Sequence, residues 1–182
     1  VSAIIGSNVT GVTQNATSTL ILSNTSNAYG STTITSGTLK LGAAGVIPDS
    51  SAVSVTGTLD LNGYSETVGS ITGNGTITSS VSGTPTLTAG GNNTDTTFSG
   101  VIQNGSGTVS LTKSGTGTLT LSNNNTYTGA TTISAGTLTV SGTLADTTAV
   151  TVSSGATYNV NANDTIGNTM ALPIDKLPVA LA

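Results

Sequence analysis

The sequence predicts an all-β protein whose short strands stack as a parallel β-solenoid, with about twenty residues per coil. One observation is the strict alternation of hydroxyl and aliphatic side chains, as in Thr118-Leu119-Thr120-Leu121, which is typical of strands with one buried side. A second is the return of large apolar positions about every twenty residues, at Leu20, Leu39, Leu59, Leu119, Leu138 and Tyr158. A third is a Gly-Thr-aliphatic tripeptide, whose Gly permits a corner with positive φ. It begins at Gly37, Gly57, Gly75, Gly107, Gly117, Gly136 and Gly142.

Helices are not expected, because Gly, Thr, Ser and Asn dominate and are poor helix formers. A flat sandwich would also show alternation, but it would not require apolar positions to return in register. We therefore predict one solenoid over about residues 10–165, with roughly nine coils stacked ~4.8 Å apart. The predicted interior includes Leu20, Leu22, Leu39, Leu41, Leu59, Leu61, Leu119, Leu121, Leu138, Val140 and Val152.

Composition excludes several classes of function. Charged residues make up 5% of the chain, with three Lys and no Arg, so the chain cannot neutralise a run of phosphates and nucleic-acid binding is not expected. The chain has no His and no Cys, which excludes disulfides and thiolate metal sites. No apolar run approaches the length of a membrane span, so membrane insertion of this segment is not expected.

Two stretches of the chain are similar to each other. Aligning Leu20 with Leu119 also aligns Gly37 with Gly136. The stretch "LTKSGTGTLTLSNNNTYTGATTISAGTL" (111–138) resembles the autotransporter-associated β-strand repeat, also called the passenger-associated transport repeat, and residues 17–62 form a looser second copy. The block 69–107 is similar to the segment that precedes such repeats.

The resemblance implies a right-handed parallel β-helix in the passenger region of a bacterial cell-surface or secreted protein. Such repeats serve as stalk and scaffold, and the family supplies no catalytic residues. We therefore expect a non-enzymatic, extracellular structural protein with no cofactor.

Several short motifs could carry chemistry, but each has a structural explanation. The stretch "GGNNTDTTF" partly matches a calcium-binding nonapeptide through Gly90, Gly91, Asp95 and Thr97. Such sites need several oxygen ligands from stacked copies, so one imperfect copy favours a polar turn. Ser110 and Lys113 match a nucleophile motif, S-x-x-K, which requires a helix. In a strand these two side chains point to opposite sides.

Asp60 and Glu66 are the carboxylate pair closest in sequence, and a glycosidase would need two such groups across a cleft. Asp60 aligns with Asn159, which favours a solvent-facing position. Asp49 and Asp146 lie at equivalent positions, where an Asx-turn explains them. We therefore assign no catalytic, cofactor-binding or metal-ligating residues.

Binding remains the main alternative to a scaffold. Tyr29, Tyr64, Tyr127 and Tyr158 could stack on sugars, and Tyr29 and Tyr127 lie in related Asn-rich loops. Contact of these loops with glycans or a host surface would make the chain an adhesin module. The other interpretation is that each ring covers a corner of the solenoid. Ice binding is disfavoured because Asn, Ser, Asp and Lys interrupt the outer Thr residues.

The ends of the single domain, residues 1–182, carry a prediction about assembly. Residues 1–10 and 170–182 are expected to be docking or linker segments, because neither end resembles a capping helix. Either the chain is part of a longer solenoid, or its ends dock onto identical subunits. In the second case the apolar segments Val1–Ile5 and Leu177–Ala182 would form a head-to-tail filament.

Overall fold

The computed structural model describes residues 1–160 and 170–171, and over these residues the chain forms 19 strands and no helix. All strand pairs are parallel and connect successive passes of the chain. The predicted all-β solenoid with roughly twenty residues per coil is confirmed.

The strands form three faces that run along the solenoid. The first face contains β1 (Gly11–Gln14), β3 (Ser31–Ile34), β5 (Ala52–Val55), β8 (Ser70–Thr72), β11 (Thr96–Phe98), β14 (Thr118–Leu121), β16 (Thr137–Val140) and β18 (Thr157–Val160). Its two halves are joined by a parallel bridge between Gly73 and Phe98. The second face contains β2 (Thr19–Leu22), β4 (Thr38–Leu41), β6 (Thr58–Asp60), β9 (Thr76–Thr78) and β12 (Val101–Ile102). The third face contains β7 (Glu66–Val68), β10 (Thr86–Ala89), β13 (Ser110–Lys113), β15 (Thr131–Ile133), β17 (Val150–Val152) and β19 (Met170–Ala171).

In-register pairing stacks like side chains on one another inside the solenoid. Leu20 pairs with Leu39, and Leu39 with Leu59. Because side chains alternate along a strand, Leu20, Leu39 and Leu59 point inward. The Thr residues that precede them, Thr19, Thr38 and Thr58, point outward. All the interior residues predicted from the sequence are buried except Leu20, which is half-buried and packs against the core.

The eight strands of the first face define about eight coils, fewer than the nine predicted. The middle coils are longer than twenty residues, since Ile77 pairs with Ile102 and Leu87 pairs with Leu111. Because these coils contain more than twenty residues each, fewer coils form than a constant length of twenty residues per coil would give.

The longer coils also shift the second repeat by one face. Leu20 lies in β2 on the second face, whereas its sequence equivalent Leu119 lies in β14 on the first. Ile34 is on the first face, and its equivalent Ile133 is shifted in the same way, to the third face. The two copies therefore have the same local structure but are not separated by a whole number of coils.

Residues 1–10 run alongside the following coil, although only residues from Gly11 onward form a strand. The carbonyl groups of Val1, Ile5 and Thr10 accept hydrogen bonds from the N–H groups of Ser23, Ala28 and Ser31. At the other end β19 pairs with β17, beyond the predicted limit at residue 165, while Leu177–Ala182 lie outside the described residues. In the described part of the chain no helix is long and apolar enough to span a bilayer.

Candidate functional site

In each copy of the repeat, a polar side chain inside the solenoid bonds to the corner between two strands, β1 and β2 in the first copy and β13 and β14 in the second. In the first copy Gln14 is buried, and its amide nitrogen donates to the carbonyl oxygens of Ala16 (2.9 Å) and Ser18 (2.6 Å). In the second copy Lys113 takes the equivalent place. Its ammonium group donates to the carbonyl oxygens of Ser114 (2.7 Å), Gly115 (2.9 Å) and Ala135 (3.3 Å). Both side chains supply donors to carbonyl groups of the turn, and the carbonyl oxygen of Ser18 also accepts a hydrogen bond from the N–H of Thr38 (3.1 Å).

Lys113 has the environment of a structural cation. Burial lowers the pKa of its ammonium group, and the negative charge of Asp95 partly offsets that effect. Ser110 is half-exposed on the outer side of β13, whereas Lys113 points inward. The two side chains therefore point to opposite sides of the strand, as the alternation predicted.

Asn side chains hold neighbouring coils together. The amide group of Asn24 donates to the carbonyl oxygen of Ser2 (2.8 Å), and the equivalent Asn123 donates to that of Ser99 (3.1 Å). Asn125 is buried, accepts a hydrogen bond from the N–H of Ile102 (2.9 Å) and donates to the carbonyl oxygen of Asn123 (2.8 Å). These Asn-rich loops therefore use their side chains for contacts within the solenoid.

The tyrosines of the same loops are part of the core. Tyr29 and Tyr127 are 1% and 0% exposed, so neither ring can stack on a sugar. The hydroxyl of Tyr29 accepts a hydrogen bond from Thr32 (3.2 Å), and that of Tyr127 lies 2.6 Å from the equivalent Thr131. Both rings pack inside the solenoid, whereas the sequence suggested that they cover its corners. Tyr64 is the exposed tyrosine, with 39% of its surface accessible.

Asp60 does not face solvent, and the sequence-based expectation for it is wrong. It is 5% exposed because residues that follow β9 lie over it: Ser80 donates to it through both its N–H (2.9 Å) and its hydroxyl (2.6 Å). Lys40, its neighbour in register, lies 3.4 Å away. Burial raises the pKa of Asp60, but the hydrogen bonds from Ser80 and Asn62 and the charge of Lys40 outweigh it, so the pKa lies below its ordinary value.

Glu66 is an acidic residue inside the solenoid. It is 2% exposed, and its Oε2 accepts a hydrogen bond from the N–H of Val46 (3.1 Å). Burial raises its pKa to about 7, against the opposing effect of the N–H groups of Val46, Ile47 and Thr67. Asp60 and Glu66 thus have separate partners, and the structure does not bring them together as an acid–base pair.

The remaining candidate residues have structural roles in turns or in contacts between coils. In the calcium-like stretch the side-chain oxygens of Asn93 and Asp95 accept hydrogen bonds from the N–H groups of Thr116 (2.8 Å) and Thr118 (2.7 Å) in the next coil. Within residues 1–160 and 170–171 no three acidic side chains come close enough to hold a metal ion. Asp49 and Asp146 each occupy the second position of a β-turn. In the first turn the N–H of Ser51 donates to the carbonyl oxygen of Pro48 (2.7 Å), and in the second the N–H of Thr148 donates to that of Ala145 (2.8 Å).

The outer Thr residues are more regular than the sequence suggested. On the third face Thr67, Thr88, Thr112, Thr132 and Thr151 stand in register. The register is hidden in the sequence because coil lengths vary. The row two residues earlier consists of Ser65, Thr86, Ser110, Ala130 and Ala149, so the array is one threonine wide.

The comparison with protein families gives one match, to the passenger-associated-transport-repeat, at residues 12–41 and 111–140. The two matched segments are 99 residues apart, the same offset as between Gln14 and Lys113. The resemblance stated from the sequence is confirmed for both copies, while block 69–107 is not part of the match. Comparisons with curated proteins and with solved structures gave no match.

Proposed function

We propose that the chain, which contains two passenger-associated-transport-repeats, is a non-enzymatic structural scaffold of a bacterial cell-surface or secreted protein. The observation that carries the proposal is the use of its polar side chains. Gln14, Lys113, Asn24 and Asn123 all bond to the backbone of their own or a neighbouring coil. Side chains used in this way stabilise a rod and are not available to a ligand.

The extracellular location rests on the repeat family and on the absence of Cys, which suits a chain that folds outside the cytoplasm. Antibodies raised against residues 1–160 should label intact cells of the source organism as strongly as permeabilised cells. Labelling that requires permeabilisation would contradict the location.

The scaffold role is tested against the adhesin alternative by binding. We expect the purified chain to give no signal on a glycan array, and Tyr64→Ala to change nothing, although Tyr64 is the most exposed tyrosine. Tyr127→Phe is a useful control, because it alters a buried ring without changing the surface. Glycan binding that Tyr64→Ala abolishes and Tyr127→Phe preserves would favour the adhesin.

We also propose that the solenoid continues beyond this segment, either in the same polypeptide or through head-to-tail contact between copies. Val1, Ile4 and Ile21 expose 51%, 63% and 45% of their surface near the first coil, and unpaired strand edges favour addition of a further strand. Negative-stain images of the purified chain should show fibres that disappear when residues 173–182 are removed. Monodisperse particles from the full chain would exclude self-assembly and leave continuation in one polypeptide.

A further inference from the structure

Glu66 occupies a place in the core that is apolar in most other coils. Its strand position is in register with Leu87, Leu111, Thr131 and Val150 along the third face. Oε1 of Glu66 is buried and has no hydrogen-bond partner, unlike the ammonium group of Lys113, which donates to three carbonyl oxygens. Ionisation of Glu66 would therefore place an incompletely compensated charge in the core.

The segment that covers Glu66 is the connection between β4 and β5, residues 42–50. It contains no strand, and only its middle part is buried, with Val46 and Ile47 fully inaccessible. Val46 is held on both sides: its N–H donates to Glu66, and its carbonyl oxygen accepts a hydrogen bond from Asn27 (2.9 Å). The carboxyl group and the Asn27 amide thus hold the buried middle of this segment, while the N–H of Gly42 attaches its start to the carbonyl oxygen of Leu22 (2.7 Å).

The titratable groups that act on Glu66 supply no positive charge. Asp49, from the covering segment, is an acid that further raises the pKa of Glu66. Tyr29, from the coil before the covering segment, has its own pKa raised by burial and by the negative charge of Glu66. On the following coil the position in register is Leu87.

We propose that Glu66 is a proton-controlled latch, which holds residues 42–50 closed over the third face when it is protonated and releases them when it is ionised. Opening would hydrate the carboxylate and leave the outer edge of β7 without its cover. Such a device is separate from the scaffold role, since a rod with the same strands could be built with an aliphatic residue at position 66.

The direction of the pH effect follows from proton linkage. The closed form binds its proton with a pKa of about 7, and in the open form the carboxyl group has its ordinary pKa of 4.5. The closed form is thus favoured at low pH. Its advantage is lost as the pH rises from about 4.5 to 7, and the opening equilibrium becomes constant above that range.

A buried thiol can report the opening, because the natural chain has no Cys. We would make Val46→Cys, which preserves the backbone N–H that bonds to Glu66, with and without Glu66→Gln. The rate of labelling by an aromatic disulfide reagent is then measured from pH 5 to pH 8. The ratio of the two rates at each pH removes the pH dependence of the thiol itself. We expect this ratio to rise at least tenfold and to level off above about pH 7.

A second reporter separates local opening from general loss of stability. Val140→Cys places a thiol at an equally buried position several coils away, and its labelling ratio should not change with pH. A ratio at Val46→Cys that stays constant, or a parallel rise at both positions, would overturn the latch. If Val46→Cys does not fold by circular dichroism, amide hydrogen exchange of residues 42–50 in the natural chain and in Glu66→Gln gives the same comparison.

Discussion

At the scale of single residues, the polar side chains inside the solenoid help to specify its structure as much as the aliphatic rows do. Gln14 and Lys113 are polar residues at inward positions, where the next strand in register has Ile34 or Ile133. A buried polar group is tolerated when its hydrogen bonds are satisfied. The same corner accepts a neutral amide in one copy and an ammonium group in the other, so the carbonyl groups matter more than the charge.

Replacing Lys113 tests this view of the corner. Lys113→Ala leaves three carbonyl oxygens without their donor and should lower the free energy of unfolding by about 2 to 4 kcal/mol, since each buried unsatisfied group costs roughly 1–3 kcal/mol. Lys113→Gln supplies the side chain found at Gln14 and should cost clearly less. Urea denaturation of both variants makes the measurement. Equal losses for the two variants would mean that the positive charge itself is required.

The alternating pattern identified most of the interior, but it could not identify which polar residues point inward. The alternation places Ser110 and Lys113 on opposite sides of a strand, yet nothing in the sequence shows the carbonyl groups that Lys113 meets. Asp60 was misjudged because its cover, Ser80, comes from the following coil twenty residues later. Contacts between coils depend on loop geometry, which strand periodicity does not encode.

At the scale of the element, the corner glycines separate two reasons for excluding a side chain. Gly136 has φ +64, and an added Cβ would lie 2.5 Å from the carbonyl oxygens of Gly115 and Gly117. Gly45 has nearly the same backbone, with φ +67, but an added Cβ would meet no atom within 4 Å. Gly136 is therefore required both by its positive φ and by the close approach of the preceding coil. Gly45 is required only by its positive φ.

The variants Gly136→Ala and Gly45→Ala should therefore differ. Gly45→Ala carries only the cost of positive φ, about 1–2 kcal/mol, whereas Gly136→Ala adds a clash with the backbone of the preceding coil and should cost several kcal/mol. Thermal unfolding followed by circular dichroism compares the two. Similar losses of stability would show that coil spacing relaxes readily at the corner.

Elements were easier to predict than their placement. The Gly-Thr-aliphatic tripeptide and the alternation located strands such as β14 and β16 correctly. The faces could not be assigned, because a coil of 24 or 25 residues in the middle of the chain, as between Ile77 and Ile102, moves every later strand around the axis. The hydrophobic pattern sets which side of a strand is buried, and the loop lengths set the face on which it lies.

At the scale of the whole molecule, stability comes from contacts between neighbouring coils, which is characteristic of repeat proteins. Each coil pairs with the one before and the one after through the same parallel ladders, from β1 with β3 to β16 with β18. A structure built in this way should tolerate a change in the number of coils. It should not tolerate a change that moves strands from one face to another.

Deleting one coil tests this expectation. Leu119 pairs with Leu138, so deletion of residues 119–137 joins Thr118 to Leu138 and places Leu138 where Leu119 had been. The shortened chain should unfold cooperatively, with a melting temperature only a few degrees lower. By small-angle scattering it should be about 5 Å shorter, the spacing of one strand.

Deletion of residues 119–128 is the matched control. It removes fewer residues but joins Thr118 to Gly129, which brings the third-face sequence of β15 onto the first face. That variant should lose its cooperative transition, because Thr and aliphatic residues no longer alternate in register with β11, which pairs with β14 in the natural chain. If the smaller deletion were tolerated as well as the larger one, register between coils would not be what holds this solenoid together.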